Sequence, residues 1–180
     1  MVYLTKELLN NGETEYSIRN KVSKGELFSI GRGVYSDEPQ PYVDESYLCS
    51  KYPNAIITGL SAFYIYDLTD YIPDKYHLAT RQHSFPINNN EVIQSYQDPS
   101  FIDVGKLSME YGNGKITIYN LERLLIELIR LKEKYPKDIY YEVINSFRKI
   151  KDKLDFYKIN EYSKYFKNGD SILQKIKEVI

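Results

Sequence analysis

The chain has 180 residues and a mass of 21.2 kDa, room for one medium domain or a small module plus a compact domain. Size scaling buries about 70% of the extended-chain surface, so no staple is required; the lone Cys49 excludes an internal disulfide, and the absence of CxxC and HxxxH spacings excludes a structural zinc site. The net charge of −1 conceals an uneven distribution: residues 1–36 carry +1, 37–122 carry −7 and 123–180 carry +5. Within the first block, Tyr16 to Tyr35 carries +3, from Arg19, Lys21, Lys24 and Arg32 against Glu26.

In chain order, Leu4–Leu9 predicts a short helix broken by Asn10-Asn11-Gly12. Thr14 reads as the N-cap of a second helix, since its hydroxyl can accept from the unpaired amides of the first turn. That helix runs to about Lys24 and stops at Gly25, expected in the left-handed conformation. Ile18 and Val22 share its inner face, which turns Arg19, Asn20, Lys21 and Ser23 elsewhere. Glu26–Ile30, Gly31-Arg32-Gly33 and Val34–Ser36 read as strand, glycine turn and strand, a hairpin with a basic tip. Helix, turn, helix and hairpin is the order of a winged helix-turn-helix.

Asp37–Tyr42, polar and with two prolines, reads as a linker. A second region begins with one or two helical turns over Glu45–Tyr52, stopped by Pro53. Ala55-Ile56-Ile57 is an apolar run leading to Thr58-Gly59-Leu60-Ser61 and a helical stripe of Leu60, Phe63 and Tyr64. Lys75–Thr80 and Glu91–Tyr96 read as strands about an Arg81–Asn90 loop, and Leu107–Tyr111 with Lys115–Tyr119 as a hairpin turned by Asn113-Gly114. From Leu121 on, four apolar stripes predict helices: Leu121/Leu124/Leu125/Leu128, Tyr140/Val143/Ile144/Phe147, Phe156/Ile159/Tyr162/Phe166 and Ile172/Leu173/Ile176/Val179, the last capped by Asp170. The expected fold class is α+β: a winged helix-turn-helix over residues 1–38, a linker at 39–42, and a small mixed α/β domain with a helical tail over 43–180.

The N-terminal module carries the strongest functional signal. A helix held by a short partner can enter the major groove of double-stranded DNA with its first exposed residues near base edges. Those are Tyr16, Ser17, Arg19 and Asn20, beside Glu15; arginine can read guanine bidentately and asparagine adenine. Lys21, Lys24 and Arg32 would sit near phosphates. The competing reading is a fold of the same shape used for protein contacts, with ordinary solvated charges.

Catalysis gains little support. His77 and His83 have no nucleophile or carboxylate placed to complete a triad, and Asp67, Asp70 and Asp74 around Pro73 fit turn residues better than a magnesium site. Gly59-Leu60-Ser61 lacks the further glycines of a phosphate-binding loop. Glu122, Arg123, Glu127 and Arg130 suit structural ion pairs along one helix, and Arg148–Lys153 a solvated face. The nineteen tyrosines, with abundant Ile, Asn and Lys, match A/T-rich codon usage rather than a stacking surface. The expectation is a non-enzyme without cofactor or metal. No apolar run suits a leader or a membrane span, so a soluble, cytoplasmic protein without a membrane partner is expected.

Lys24-Gly25-Glu26-Leu27, Gly31-Arg32-Gly33-Val34-Tyr35, Ile56–Ala62 with Leu68-Thr69-Asp70, and Ile116–Tyr119 running into Glu122–Arg130 occur together in this order. In these blocks the chain resembles the AbiEi-type antitoxins of type IV toxin–antitoxin, or abortive-infection, systems, over nearly its whole length. The resemblance implies a bacterial phage-defence protein whose winged helix represses its own operon by binding promoter inverted repeats. It also implies a C-terminal domain that counteracts a nucleotidyltransferase-like toxin without a stable complex. The DNA-facing residues it implies are those of the second helix and Arg32. The competing class is the nucleotidyltransferase itself, which needs two magnesium-binding carboxylates on the strand after the glycine turn. The strand Lys75–Thr80 carries none.

Overall fold

Val2 and Tyr3, a β-branched and an aromatic residue, favour extended backbone, and Val2–Leu4 forms a strand, β1, where sequence periodicity predicts only a helix from Leu4. The computed structural model of the protein describes residues 2–31, 33–39, 45–112 and 114–180. After β1 come helices α1 (Thr5–Asn10) and α2 (Glu15–Ser23), then strands β2 (Phe28–Gly31) and β3 (Val34–Ser36). The strands make an antiparallel sheet in the order β1-β3-β2, with Tyr3 opposite Tyr35 and Ser29 opposite Tyr35 on the other side. β1 thus gives β3 a neighbour on each edge, a role no local pattern announces.

Both helices stop in the same way. Glu13 N–H donates to the Leu8 carbonyl and Gly12 N–H to the Leu9 carbonyl; Glu26 donates to Lys21 and Gly25 to Val22 in the same pattern. Gly12 and Gly25 have φ of 89° and 72°, the left-handed conformation in which glycine carries no side-chain penalty. Leu8, Ile18 and Leu27 form the buried cluster under these elements, flanked by Tyr3, Val22 and Tyr35.

The chain continues through α3 (Glu45–Lys51), β4 (Ile56–Ile57), α4 (Gly59–Ile65), β5 (Tyr76–Arg81), β6 (Val92–Gln97), β7 (Lys106–Tyr111) and β8 (Gly114–Tyr119). Helices α5 (Leu121–Arg130), α6 (Lys137–Lys149), α7 (Phe156–Ser163) and α8 (Gly169–Val179) follow. The five later strands form a mixed sheet in the order β6-β5-β4-β8-β7: β4 runs antiparallel to β5 and parallel to β8, and β5 parallel to β6. The architecture is α+β, and no helix among the described residues is long and apolar enough to cross a membrane.

The chain divides into two compact units, residues 1–53 with 110–116 and residues 54–109 with 117–180. The expected boundary at 38/43 therefore falls inside the first unit, which keeps α3 and the tip of the β7–β8 hairpin. Tyr47 of α3 donates from its hydroxyl to the Ile30 carbonyl, and a Cβ at Gly114 would come within 3.1 Å of Ser46. Of the expected linker, residues 40–42 lie outside the described residues.

In the second unit α5 packs against α4, α7 and α8 and is buried on every side from Glu122 to Ile129, which is more than the single expected stripe. Asn120 caps it by accepting from Arg123 N–H at 3.0 Å. On α4 the fully buried residues are Ala62 and Phe63, while Leu60 and Tyr64 of the expected stripe are half-buried, because the short helix is covered by both β5 and α5. Asp170 does not cap α8: the helix begins at Gly169, whose missing Cβ lets the chain press against the Ser163 carbonyl, and Asp170 lies within its first turn.

Candidate nucleic-acid interface

The sequence Glu13-Thr14-Glu15-Tyr16-Ser17 fixes the start of α2. Thr14 Oγ1 accepts from Ser17 N–H at 3.1 Å, and Thr14 N–H donates to Ser17 Oγ at 2.8 Å, a reciprocal cap that satisfies two otherwise unpaired amides. Ser17 Oγ in turn donates to Glu13 Oε2 at 2.5 Å, and Lys21 Nζ pairs with the other oxygen of that carboxylate. These hydrogen bonds, Lys21's first and Ser17's next, hold the Glu13 carboxyl below its ordinary range, and Glu13 in return holds the Lys21 ammonium above its own.

A helix turns about 100° per residue, so side chains divide sharply around α2. Ile18 is buried at 2% exposure and anchors the inner face. Tyr16, Arg19, Asn20 and Ser23 are exposed and share the outer face. Tyr16 at 80% exposure has no packing role to explain it. Arg19 lies 3.5 Å from Glu15, with side chains 80% and 72% exposed, so water screens the pair and an incoming acceptor displaces the carboxylate at little cost.

The β2–β3 hairpin is held by the start of α1. Gly33, at the hairpin turn, has φ of 73°, and its carbonyl accepts from both Thr5 N–H at 2.9 Å and Thr5 Oγ1 at 3.1 Å. A Cβ there would lie 3.2 Å from Thr5 Oγ1, so both conformation and space favour glycine. The hairpin is thereby fixed to α1 rather than hanging free.

The chain matches no known protein-family model, and no curated protein matches it significantly.

Of the residues expected at the interface, Tyr16, Arg19 and Asn20 come together on the outer face of α2. Ser17 and Lys21 are turned to the flank and engaged by Glu13. Lys24 sits just past the helix end, exposed and without an ion-pair partner among the described residues. Arg32 lies outside the described residues. Sequence reasoning passed over Lys6, which is exposed on α1 and likewise without an ion-pair partner among the described residues. Its one signal was a lysine on the solvent side of a helix whose Leu8 is buried.

The other chemical candidates have structural occupations. Ser61 Oγ accepts from His77 N–H at 2.9 Å, which ties α4 to β5. Asp70 N–H and the Thr69 hydroxyl both donate to the Glu142 carboxylate, and Asp67 follows α4 with φ of 55°. Among the described residues, no three His, Cys, Asp or Glu side chains are gathered as a metal site. His83 is exposed in a turn, and β5 carries no carboxylate.

Proposed function

We propose that the protein is a transcriptional autorepressor and antitoxin of a type IV toxin–antitoxin, abortive-infection operon of a bacterium. Its N-terminal unit works as a winged helix-turn-helix that reads inverted repeats in its own promoter. Its second unit counteracts a nucleotidyltransferase-like toxin without a stable complex. It acts in the cytoplasm and catalyses no reaction itself.

The observation that carries this reading is the outer face of α2. A capped helix, seated on Leu8 and Leu27 through Ile18, presents an arginine, an asparagine and a tyrosine with no intramolecular work that would need them exposed. Arginine and asparagine are the two side chains best suited to bidentate contacts with guanine and adenine edges. Lys24 and Lys6, exposed and without ion-pair partners among the described residues, supply cations for phosphates, which position the module without reading sequence. The antitoxin half of the proposal rests on the sequence resemblance, which runs through Gly59–Ala62 and Glu122–Arg130.

Two cellular readouts test the halves separately in the full chain. A reporter driven by the protein's own upstream region is expected to be repressed by the wild type and released by the double substitution Arg19→Ala/Asn20→Ala. Toxicity of the nucleotidyltransferase-like toxin that this reading places in the same operon is expected to be relieved equally by both proteins. A reporter that ignores the protein would overturn the repressor reading; unrelieved toxicity would overturn the antitoxin reading.

A further inference from the structure

Beyond the DNA-reading unit, the second unit contains a cleft of about 570 Å³, within the size range of small-molecule sites. Its floor is the β5–β6 face of the mixed sheet. In this parallel pair His77 stands beside Ile93, and Arg81 beside Gln97. Side chains alternate along a strand, so Ile93 and Gln97, four residues apart, share one face about 13 Å from end to end. The walls are the turn from β4 into α4 on one side, and the end of α5 with the segment after it, carrying Arg130, Lys134 and Tyr135, on the other.

The lining holds polar groups that the fold itself does not use. Gln97 is 6% exposed and Thr58 8% exposed, yet neither the Gln97 amide nor the Thr58 hydroxyl makes a hydrogen bond with any described residue. Neither is a sealed, unpaired polar atom, so water in the cleft reaches both, and a ligand that enters can take the place of that water on two otherwise uncommitted hydrogen-bonding groups. Burial lowers the pKa of the His77 ring, which likewise makes no side-chain hydrogen bond with a described residue.

The charges give the sign of that partner. Glu127 is buried in the cleft wall but is paired twice: Arg123 Nε donates to one oxygen at 3.0 Å, and Arg130 Nε to the other at 3.1 Å. Its charge is therefore answered. Lys134 is exposed at the rim with no ion-pair partner among the described residues, and the Arg130 guanidinium is 30% open. The net field is positive at the end carrying Arg130 and Lys134. Elsewhere Ile93, Leu60 and Tyr135 supply apolar surface, and Gln97 and Thr58 the hydrogen-bonding groups.

We infer that this cleft binds a mononucleotide, its phosphate held by Lys134 and Arg130 and its heterocycle read by the Gln97 amide and Thr58 hydroxyl. An amide can donate and accept side by side, which matches the paired donor and acceptor on the edge of a base. Inorganic phosphate satisfies only the cations, and a neutral nucleoside only the amide and hydroxyl. The site is independent of the DNA-reading face, because none of its residues belongs to the first unit.

Calorimetric titration of the full chain with AMP, GMP, CMP and UMP, and with ribose 5-phosphate and inorganic phosphate, tests this. At least one of the four nucleotides is expected to bind one per chain, roughly tenfold or more tighter than ribose 5-phosphate or phosphate. Lys134→Glu, at an exposed position, is expected to weaken that nucleotide and ribose 5-phosphate together. Gln97→Leu is expected to weaken only the nucleotide, roughly tenfold, while leaving the melting midpoint unchanged or higher. Failure of all four nucleotides to bind at about 1 mM would overturn the inference. So would binding that survives both substitutions, or ribose 5-phosphate binding as tightly as the nucleotides. Binding of promoter DNA, measured on the same variants, is expected to be unchanged, so the two readings stand or fall apart.

Discussion

Two helices in this protein carry an arginine and a glutamate four residues apart, and they put that pair to opposite uses. On α2, Glu15 and Arg19 are 3.5 Å apart with 72% and 80% of their side chains in solvent. On α5, Arg123 and Glu127 are 0% and 2% exposed; Arg123 Nη1 also donates to the carbonyls of Phe101 and Val104, and the guanidinium lies 4.6 Å from the centre of the Tyr119 ring. The exposed pair is exchangeable, so its arginine is available to a ligand. The buried pair is a structural joint, since removing either member strands the other in a medium that penalises an unpaired charge. Spacing alone creates the pair; the surroundings decide whether it is a binding group or a part of the frame.

The largest effect should come from breaking the joint. Arg123→Met takes the donor from the Val104 carbonyl, one of two donors from the Phe101 carbonyl, and half-unpairs Glu127, and is expected to cost about 3–5 kcal/mol in urea unfolding followed by circular dichroism. Adding Glu127→Met to it should recover part of that loss, because the stranded charge goes too. A cost below about 1 kcal/mol for the single change would show that Arg123 is not the joint described.

Next comes the small core beneath the exposed pair. Ile18→Ala is expected to cost about 2–4 kcal/mol, because few other buried side chains share the load in that cluster. Thr14→Ala, which removes one half of the reciprocal cap, should cost about 1 kcal/mol. Arg19→Ala is expected to leave the unfolding midpoint where it is, and a measurable loss of stability would erase the contrast with Arg123.

The smallest effect concerns pH. Burial lowers the pKa of His77, so the unfolded chain takes up a proton before the folded one as pH falls. The stability this residue allows is fully present above its unfolded pKa of about 6.5 and declines as pH drops from there toward the folded value. Between about pH 7.5 and 5.5, the wild type should therefore lose more stability than His77→Gln, read as the difference in unfolding midpoints. An equal decline in both would assign the pH dependence elsewhere.

What the sequence discloses follows the range of the interactions. Thr14, Gly25 and the turn at Gly33 act on neighbours within a few residues, so the cap, the helix stop and the hairpin were legible, and the structure has each in place. β1 was not legible, because three residues become a strand only by pairing with β3, thirty or more positions away. The outer face of α2 followed from helical periodicity, yet the engagement of Ser17 and Lys21 by Glu13 depends on the chain bending back through the cap. The Glu127 network was visible as spacing, while its burial depends on α7, α8 and the segment around Phe101. Gln97 and Thr58 gave no signal at all: an ordinary glutamine and threonine acquire meaning only when β6, the end of β4 and the end of α5 surround one cavity.

The central claim is that the outer face of α2 reads DNA. Fluorescence anisotropy with the protein's own upstream inverted repeat and a scrambled duplex, over a series of salt concentrations, tests it most directly. Full-length wild type is expected to prefer the repeat; Arg19→Ala/Asn20→Ala should lose that preference, about 1–3 kcal/mol per base contact, while Lys24→Ala weakens both duplexes and lowers the salt slope by about one. Equal affinity of the wild type for the two duplexes, or a preference that survives the double substitution, would contradict the claim.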